Sequence, residues 1–284
     1  DDLDVGLDEG LKSNELVTVL KSLTATEANG KKKHPVNPYD LLDTLSRKYP
    51  EYAKRRQQDA HDFLLKLFSC VDLFPFTFTK QLEITLNWSV TCSVCSAKSV
   101  LEERTSHLSL SVEYDNDDIT ARMASLSVKK LSQAVSVGDL IKRKLQDCPL
   151  VDDNRYVCDS STCKGSRTDA VQRLQIKHLS THLIIHLNRF TDAMEKSRRR
   201  VSVDRVVQIN GHEYIFKGMV VHQGSTIQYG HYVAILYDDD DSNESKQATE
   251  ISDCQVKSSA FDAHQMDSYL LFYSLKWPPP GTCE

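Results

Sequence analysis

Two groups of residues in this 284-residue chain have the types and spacing to do chemistry. The first is four cysteines in two close pairs, Cys92-x-x-Cys95 in TCSVCSAK and Cys158-x-x-x-x-Cys163 in VCDSSTCKGS, with residues 96–157 between the pairs. Each pair sits among small, polar, turn-forming residues, as knuckles that aim two thiolates at one ion do. Four thiolates complete the closed tetrahedral shell of a structural Zn²⁺ and leave no open position for catalysis. The other reading is four free cysteines, some of them buried. The longer gap of the second pair keeps that reading open. Cys70, Cys148, Cys254 and Cys283 read as ordinary thiols.

The second group centres on His231, in the stretch QYGHYVAILYDDDD of residues 228–241. The stretch reads as a strand running into a solvated acidic run. Alternation along it puts Tyr229, His231, Val233 and Ile235 on one face. Gly230 clears space beside the imidazole, which implies the close approach of another chain or backbone. Alone, a strand histidine is most simply a satisfied structural residue. Ser252 and Asp253, in EISDCQV, change that reading, because an adjacent strand would deliver them to the ring. A general base needs such a partner to fix its tautomer and stabilise the imidazolium.

The elements that must position these groups follow from pattern. Residues 1–75 read as helical. Asn37-Pro38-Tyr39-Asp40 is a helix start, with Leu41, Leu42 and Leu45 as its apolar stripe. A second helix is expected through RQQDAHDFLLKLFSCV, with Ala60, Leu64, Leu67, Phe68 and Val71 at helical spacing. Asp59 and Asp62 share its polar side, and Phe74-Pro75-Phe76 ends it. From about 80 to 175 short alternating strands take over, with a polar loop expected over 113–134. The strongest strands lie between about 175 and 276, with QGST at 223–226 as a hairpin turn. Residues 238–245 read as a solvated loop. Helices first and antiparallel strands after make an α+β chain.

Composition sets looser bounds. Hydrophobic content of 40% and charged content of 26% are those of a soluble globular protein. A net charge of −5 argues weakly against a nucleic-acid binder and leaves room for a basic partner. No apolar run reaches the roughly 18 residues of a membrane-spanning helix, so neither nucleic acid nor membrane is expected as a direct partner. The acidic start, Asp1-Asp2-Leu3-Asp4, lacks both an initiating Met and a secretory layout, so the chain reads as a piece of a longer one. Metal in a reducing compartment is then the better reading of the cysteines than disulfides.

In order and approximate spacing, QQDAHDFLLKLF, the paired cysteines, HLIIHLNRF, YGHYVAILY, ISDCQV and SYLLFY resemble the ubiquitin-specific protease catalytic domain. The resemblance runs from about residue 38 to 275. It implies a papain-like cysteine peptidase fold with a helical thumb, zinc-bearing β-fingers and an antiparallel β-sheet palm. On that division 1–284 is a single catalytic domain, N-terminally incomplete: thumb remnant over 1–75, fingers over 76–175, palm over 176–276 and a tail over 277–284. The implied reaction is hydrolysis of the isopeptide bond at ubiquitin's C-terminal glycine. His231 would be general base and acid, with Tyr229 and Gly230 beside it at the substrate. Asp59 and Asp62 would meet the basic tail of ubiquitin. One structural Zn²⁺ on Cys92, Cys95, Cys158 and Cys163 would be the cofactor, and ubiquitin and ubiquitinated proteins the partners.

The chain departs from the family pattern in two places. The family's nucleophile box, a Gly-Asn-Thr-Cys type segment, is absent, and no cysteine precedes Cys70. The expectation is an active protein whose nucleophile lies outside this chain, so that the fragment alone is inactive. The alternative is a catalytically dead scaffold that still binds ubiquitin. Secondly, Ser252-Asp253 stands where the family carries Asn or Asp followed by Asp. Ser252 takes the orienting position on this register, with Asp253 its replacement if the strand shifts by one. The serine favours the branch acting on ubiquitinated histone and related nuclear or cytoplasmic substrates. Lys196-Ser197-Arg198-Arg199-Arg200 would be a solvated loop or a contact for an acidic surface.

Overall fold

The computed structural model describes residues 38–53, 56–71, 79–113, 134–190, 195–226, 229–237, 247–260 and 265–276. The expectations for the first 37 residues, for loop residues 114–133 and 238–246 and for the tail 277–284 lie outside them. The chain divides into two compact units, the first ending at Lys80 and the second beginning at Gln81. Among the described residues no helix is long and apolar enough to cross a membrane.

The first unit holds two helices, α1 (Pro38–Lys48) and α2 (Ala60–Val71). Asp40 sits in the first turn of α1 and Arg47 and Lys48 in its last, each at the end the helix dipole favours. The predicted stripe of Leu41, Leu42 and Leu45 packs with Tyr52, Phe63, Leu67 and Cys70. Tyr52 and Phe63 meet edge to face at 5.7 Å. Helix α2 starts four residues later than its sequence pattern suggests. The cause is Asp59, whose Oδ1 accepts the Asp62 N–H at 2.8 Å and caps the helix there.

The second unit contains the remaining elements. In chain order they are β1 (Ile84–Cys92), β2 (Lys98–Thr105), β3 (Leu108–Ser111), β4 (Val135–Ser136), α3 (Val137–Lys144), β5 (Cys148–Leu150), β6 (Tyr156–Cys158), β7 (Ser166–Thr168) and β8 (Ala170–His178). There follow β9 (His182–Asn188), β10 (Val201–Ser202), β11 (Val206–Ile209), β12 (His212–Thr226), β13 (Tyr229–Tyr237), β14 (Gln247–Ser252), β15 (Gln255–Ala260) and β16 (Ser268–Leu275). A large sheet runs β15-β14-β13-β12-β16-β9-β3, with β11 paired to β12. A four-stranded sheet runs β2-β1-β8-β5, and β6-β7 form a small hairpin. The core lies under the large sheet, where Val221, Ile235, Ile185, Leu187 and Leu271 are fully enclosed. Strand β16 is buried from Ser268 through Leu271, so both its faces are covered, which is why it reads as an unbroken apolar run.

Four features depart from the sequence reading. Helix α3 falls where only strands are expected. Its start is set by Ser136, whose Oγ accepts the Asp139 N–H at 3.0 Å. Among the described residues two strand pairs are parallel, β3 with β9 and β4 with β10, and the other pairs are antiparallel. QGST is not a turn: β12 continues to Thr226, with a register shift between Gln223 and Thr226. Finally, the basic run of 196–200 is no plain solvated loop, since Lys196 and Ser197 are buried and Arg199 Nη1 donates to the Val112 carbonyl at 3.3 Å.

Candidate active site and metal centre

Strand β13 carries His231 in the middle of the large sheet, with β12 on one side and β14 on the other. The expected face alternation holds inward of the histidine: Val233 and Ile235 are buried, while Tyr229 at the strand's start is 73% exposed. Ser252 ends β14 and Gln255 begins β15, so Asp253 and Cys254 form a two-residue hairpin loop. Asp253 holds a left-handed φ of 52°, a conformation Asp tolerates better than most residues. This turn brings both expected props to one ring nitrogen. His231 Nε2 lies 2.8 Å from Ser252 Oγ and 3.8 Å from Asp253 Oδ2. The Asp253 side chain is 81% exposed, so its charge acts through water as much as through the gap. With Nε2 engaged by the hydroxyl, Nδ1 is the nitrogen left to exchange a proton with a reacting group.

The nearest approach at Gly230 comes from a side chain and not from the backbone expected there. A Cβ there would stand 2.1 Å from Nε2 of His222 and 3.0 Å from the Gln223 carbonyl. His222 is 1% exposed and sits against Phe190, Tyr232 and Tyr269, so it has no room to withdraw. We expect Gly230→Ala to lower stability by about 3 kcal/mol, the upper end for overpacking, read as a drop in the urea midpoint at unchanged slope.

Other cysteines and acids are placed less suggestively. Cys70 is buried in the first unit, and burial pushes its thiol up, which makes it a poor nucleophile. Cys254 is exposed on the same turn as Asp253. Asp62, expected at the ubiquitin tail, accepts from Lys66 Nζ at 2.7 Å and Tyr52 Oη at 3.1 Å, while Asp59 caps α2. Both acids therefore have structural employment within their own unit.

The four paired cysteines converge. Cys92 ends β1 and Cys158 ends β6, so each first cysteine is delivered by a strand and each second one by the turn that follows. Ser96 at φ 60° and Lys164 at φ 50° supply the tight reversals behind Cys95 and Cys163. Sγ–Sγ separations are 3.9 Å for Cys92–Cys163 and 3.6 Å for Cys95–Cys158, and all four sulfurs lie within 4.8 Å of one another. A tetrahedron of thiolates with Zn–S of about 2.3 Å has edges of about 3.8 Å. Four sulfurs at that spacing, too far apart for S–S bonds, fit one such ion. Thr168 Oγ1 lies 3.2 Å from Cys92 Sγ and Ser160 Oγ 3.2 Å from Cys95 Sγ, as hydroxyls that support thiolates do. The Thr168 contact pulls the Cys92 thiol down to about 6. At Cys163 the Ser160 contact favours the thiolate, but burial and the crowding thiols outweigh it and push the group up to about 12. A divalent cation relieves that conflict by letting all four ionise.

A mostly antiparallel sheet carrying an imidazole set against a serine, together with helices and a separate cluster of four cysteines, makes this an α+β chain with a fold of the papain-like type. The family model described as ubiquitin carboxyl-terminal hydrolase matches residues 6–273, and the chain belongs to that family. It is 24% identical over 264 residues to ubiquitin carboxyl-terminal hydrolase 11 of Schizosaccharomyces pombe, covering 84% of this chain and 70% of that protein. It is 26% identical over 316 residues to ubiquitin carboxyl-terminal hydrolase 12 of Salmo salar, covering 92% and 79%. Against ubiquitin carboxyl-terminal hydrolase 44 of Ailuropoda melanoleuca, at 24% over 293 residues, it covers 84% of itself but 39% of the relative. The fold is similar to that in the SAGA DUB module Ubp8/Sgf11/Sus1/Sgf73 bound to monoubiquitin, with a TM-score of 0.69 at 19% identity, over 94% of this chain and 59% of that one. The same module bound to ubiquitin aldehyde gives 0.68.

Proposed function

We propose that this chain belongs to a thiol-dependent deubiquitinase that hydrolyses the isopeptide bond at ubiquitin's C-terminal glycine. The carrying observation is the pair of contacts at His231 Nε2, 2.8 Å to Ser252 Oγ and 3.8 Å to Asp253 Oδ2. Ser252 holds the ring with Nδ1 available, and Nδ1 accepts the proton of a cysteine thiol. The thiolate attacks the carbonyl carbon of the glycine. The imidazolium then protonates the departing lysine amine, and the same nitrogen activates the water that hydrolyses the thioester. Asp253 supplies the negative charge that the Ser252 hydroxyl lacks. The nucleophile on this reading is carried by polypeptide outside these 284 residues. Ubiquitin as ligand is supported by family membership and by ubiquitin's presence in both similar solved complexes. The four cysteines would hold one Zn²⁺, whose contribution is to cross-link strand ends and not to touch the substrate.

The test uses protein that includes the preceding coding sequence and a ubiquitin probe with an electrophilic C-terminus. A covalent adduct on an upstream cysteine supports the enzyme. Ubiquitin binding without any adduct identifies the catalytically dead scaffold instead. We expect the 284-residue chain alone to leave a ubiquitin–dye conjugate intact. Turnover that vanishes in Cys254→Ala or Cys70→Ala would place the nucleophile within it.

A further inference from the structure

The first residue of the basic run stands apart from the three arginines that end it. The Lys196 side chain is 1% exposed, and its ammonium has three acceptors. They are the His222 carbonyl, the Gly224 carbonyl at 3.2 Å and Asp267 Oδ1 at 2.6 Å. That uses every donor an ammonium has. Asp267 joins the grip a second time, since its backbone carbonyl accepts the His222 N–H at 2.9 Å.

The two carbonyls held by Lys196 flank Gln223, and Gln223 is the residue paired with His231 across the sheet. Directly beyond that pair the ladder slips, resuming at Thr226 with Tyr229. Gly224 and Ser225 on β12 therefore face Gly230 alone on β13, a bulge of two residues against one. The bulge is tightly made. A Cβ at Gly224 would stand 2.4 Å from the Tyr229 carbonyl, and one at Gly230 would strike the His222 ring. Bulges bend the strand that carries them and re-aim nearby side chains. Here the side chain next to the bend is the imidazole.

Burying an ammonium is costly, and a slot needing only to be filled is better filled by a hydrocarbon of similar volume. Burial indeed works against the charged form of Lys196, with Asp267 opposing it. The arrangement becomes intelligible if the three directed hydrogen bonds hold a shape that packing alone leaves free. We propose that Lys196, held by Asp267, is a positioning residue for His231: its ammonium fixes the β12 bulge and, through it, the angle at which β13 offers the imidazole to Ser252. The proposal rests on reading His231 as the general base.

The test has two arms. In histidine-labelled chain, nuclear magnetic resonance reports whether the His231 ring holds one tautomer, with Nε2–H donated to Ser252. In Lys196→Met, a change of similar length and volume, we expect ring signals averaged between tautomers, as in free imidazole. In protein that also carries the nucleophile segment, we expect kcat to fall about 30-fold, within the range for small misplacement of a reacting group, and KM to change less than twofold. Asp267→Asn keeps an oxygen acceptor for Lys196 and should show the same effects in weaker form. Native ring signals and native kcat in Lys196→Met would overturn the proposal. If that variant does not fold, native ring signals in Asp267→Asn overturn it equally. Should the unmodified protein hydrolyse no ubiquitin conjugate, the functional reading fails, while the ring signals still decide the role of Lys196.

Discussion

On the proposed deubiquitinase reading, replacing His231 by Asn in protein that carries the nucleophilic cysteine should lower hydrolysis of a ubiquitin–dye conjugate by roughly 10³-fold. Asn fills similar space and can still hydrogen-bond, but it cannot take a proton from a thiol or return one to an amine. The loss should fall on kcat, because the imidazole meets only the reacting bond and a body the size of ubiquitin is bound over a much wider surface. KM for the conjugate should therefore stay within about threefold on the ordinary division between ground-state and transition-state contacts. A loss confined to KM would show that residue 231 binds substrate without acting on it.

The two props separate by chemistry. Ser252 lies at full hydrogen-bond distance from Nε2, 2.8 Å, so Ser252→Ala removes a neutral hydrogen bond and releases the tautomer. A cost of about 1 kcal/mol for the bond gives roughly fivefold in rate before any loss of alignment. Asp253 stands at 3.8 Å with most of its side chain in water. Asp253→Asn should cost about threefold, and the difference should shrink as salt is added, as for any exposed ion pair. The reverse order, with Asp253 the costlier loss at every ionic strength, would make the aspartate the true orienting residue and Ser252 its support.

Much of this site was open to reading in one dimension because it is built from neighbouring strands. YGHYVAILY and EISDCQV each have strand periodicity, and once β13 and β14 are adjacent the serine can only fall near the histidine. The cysteine pairs were equally legible, since short gaps and turn residues force each pair to converge. What escaped was whatever depends on a third segment. Gly224 in QGST resembles a hairpin glycine, and only the pairing of β12 with β13 shows it to lie in a bulge. Lys196 looks like one more cation in KSRRR, because composition does not reveal that backbone carbonyls of β12 wrap it. Asp59 and Asp62 look like a free acidic face until the cap and Lys66 occupy them. Helix α3 is different, for Ser136-x-x-Asp139 is a start signal that could have been found. Asn210-Gly211, with φ values of 50° and 81° between β11 and β12, is another signal that could have been found.

Protein made in zinc-replete medium should carry about one Zn²⁺ per chain, and Cys158→Ser should lose it while Cys148→Ser keeps it. The consequence for the fold follows from how little else secures this region. The cluster around the site is Cys92, Cys158 and Cys163, with Cys95, Ala97 and Tyr156 beside them, so sulfur makes up most of what is buried there. Strand β2 is exposed along almost its whole length, and β6 and β7 have three residues each. Such strands have too little apolar surface to hold one another in water. Closing the loop of residues 96–157 with a cross-link removes about 4 kcal/mol of chain entropy from the unfolded state, by the relation used for disulfides. An ion held by four thiolates provides that closure and more. Chelation or Cys158→Ser should therefore open residues 92–98 and 156–168 to rapid hydrogen exchange and to proteolysis. The large sheet, whose core residues are enclosed independently, should keep its protection. Ubiquitin affinity should drop at least tenfold if these knuckles help to hold its body, and His231 should retain its contact with Ser252. Mild acid should mimic the chelator, because protons compete for the same thiolates. Metal-free protein with unchanged exchange across both knuckles would remove the ion from the structure's support altogether.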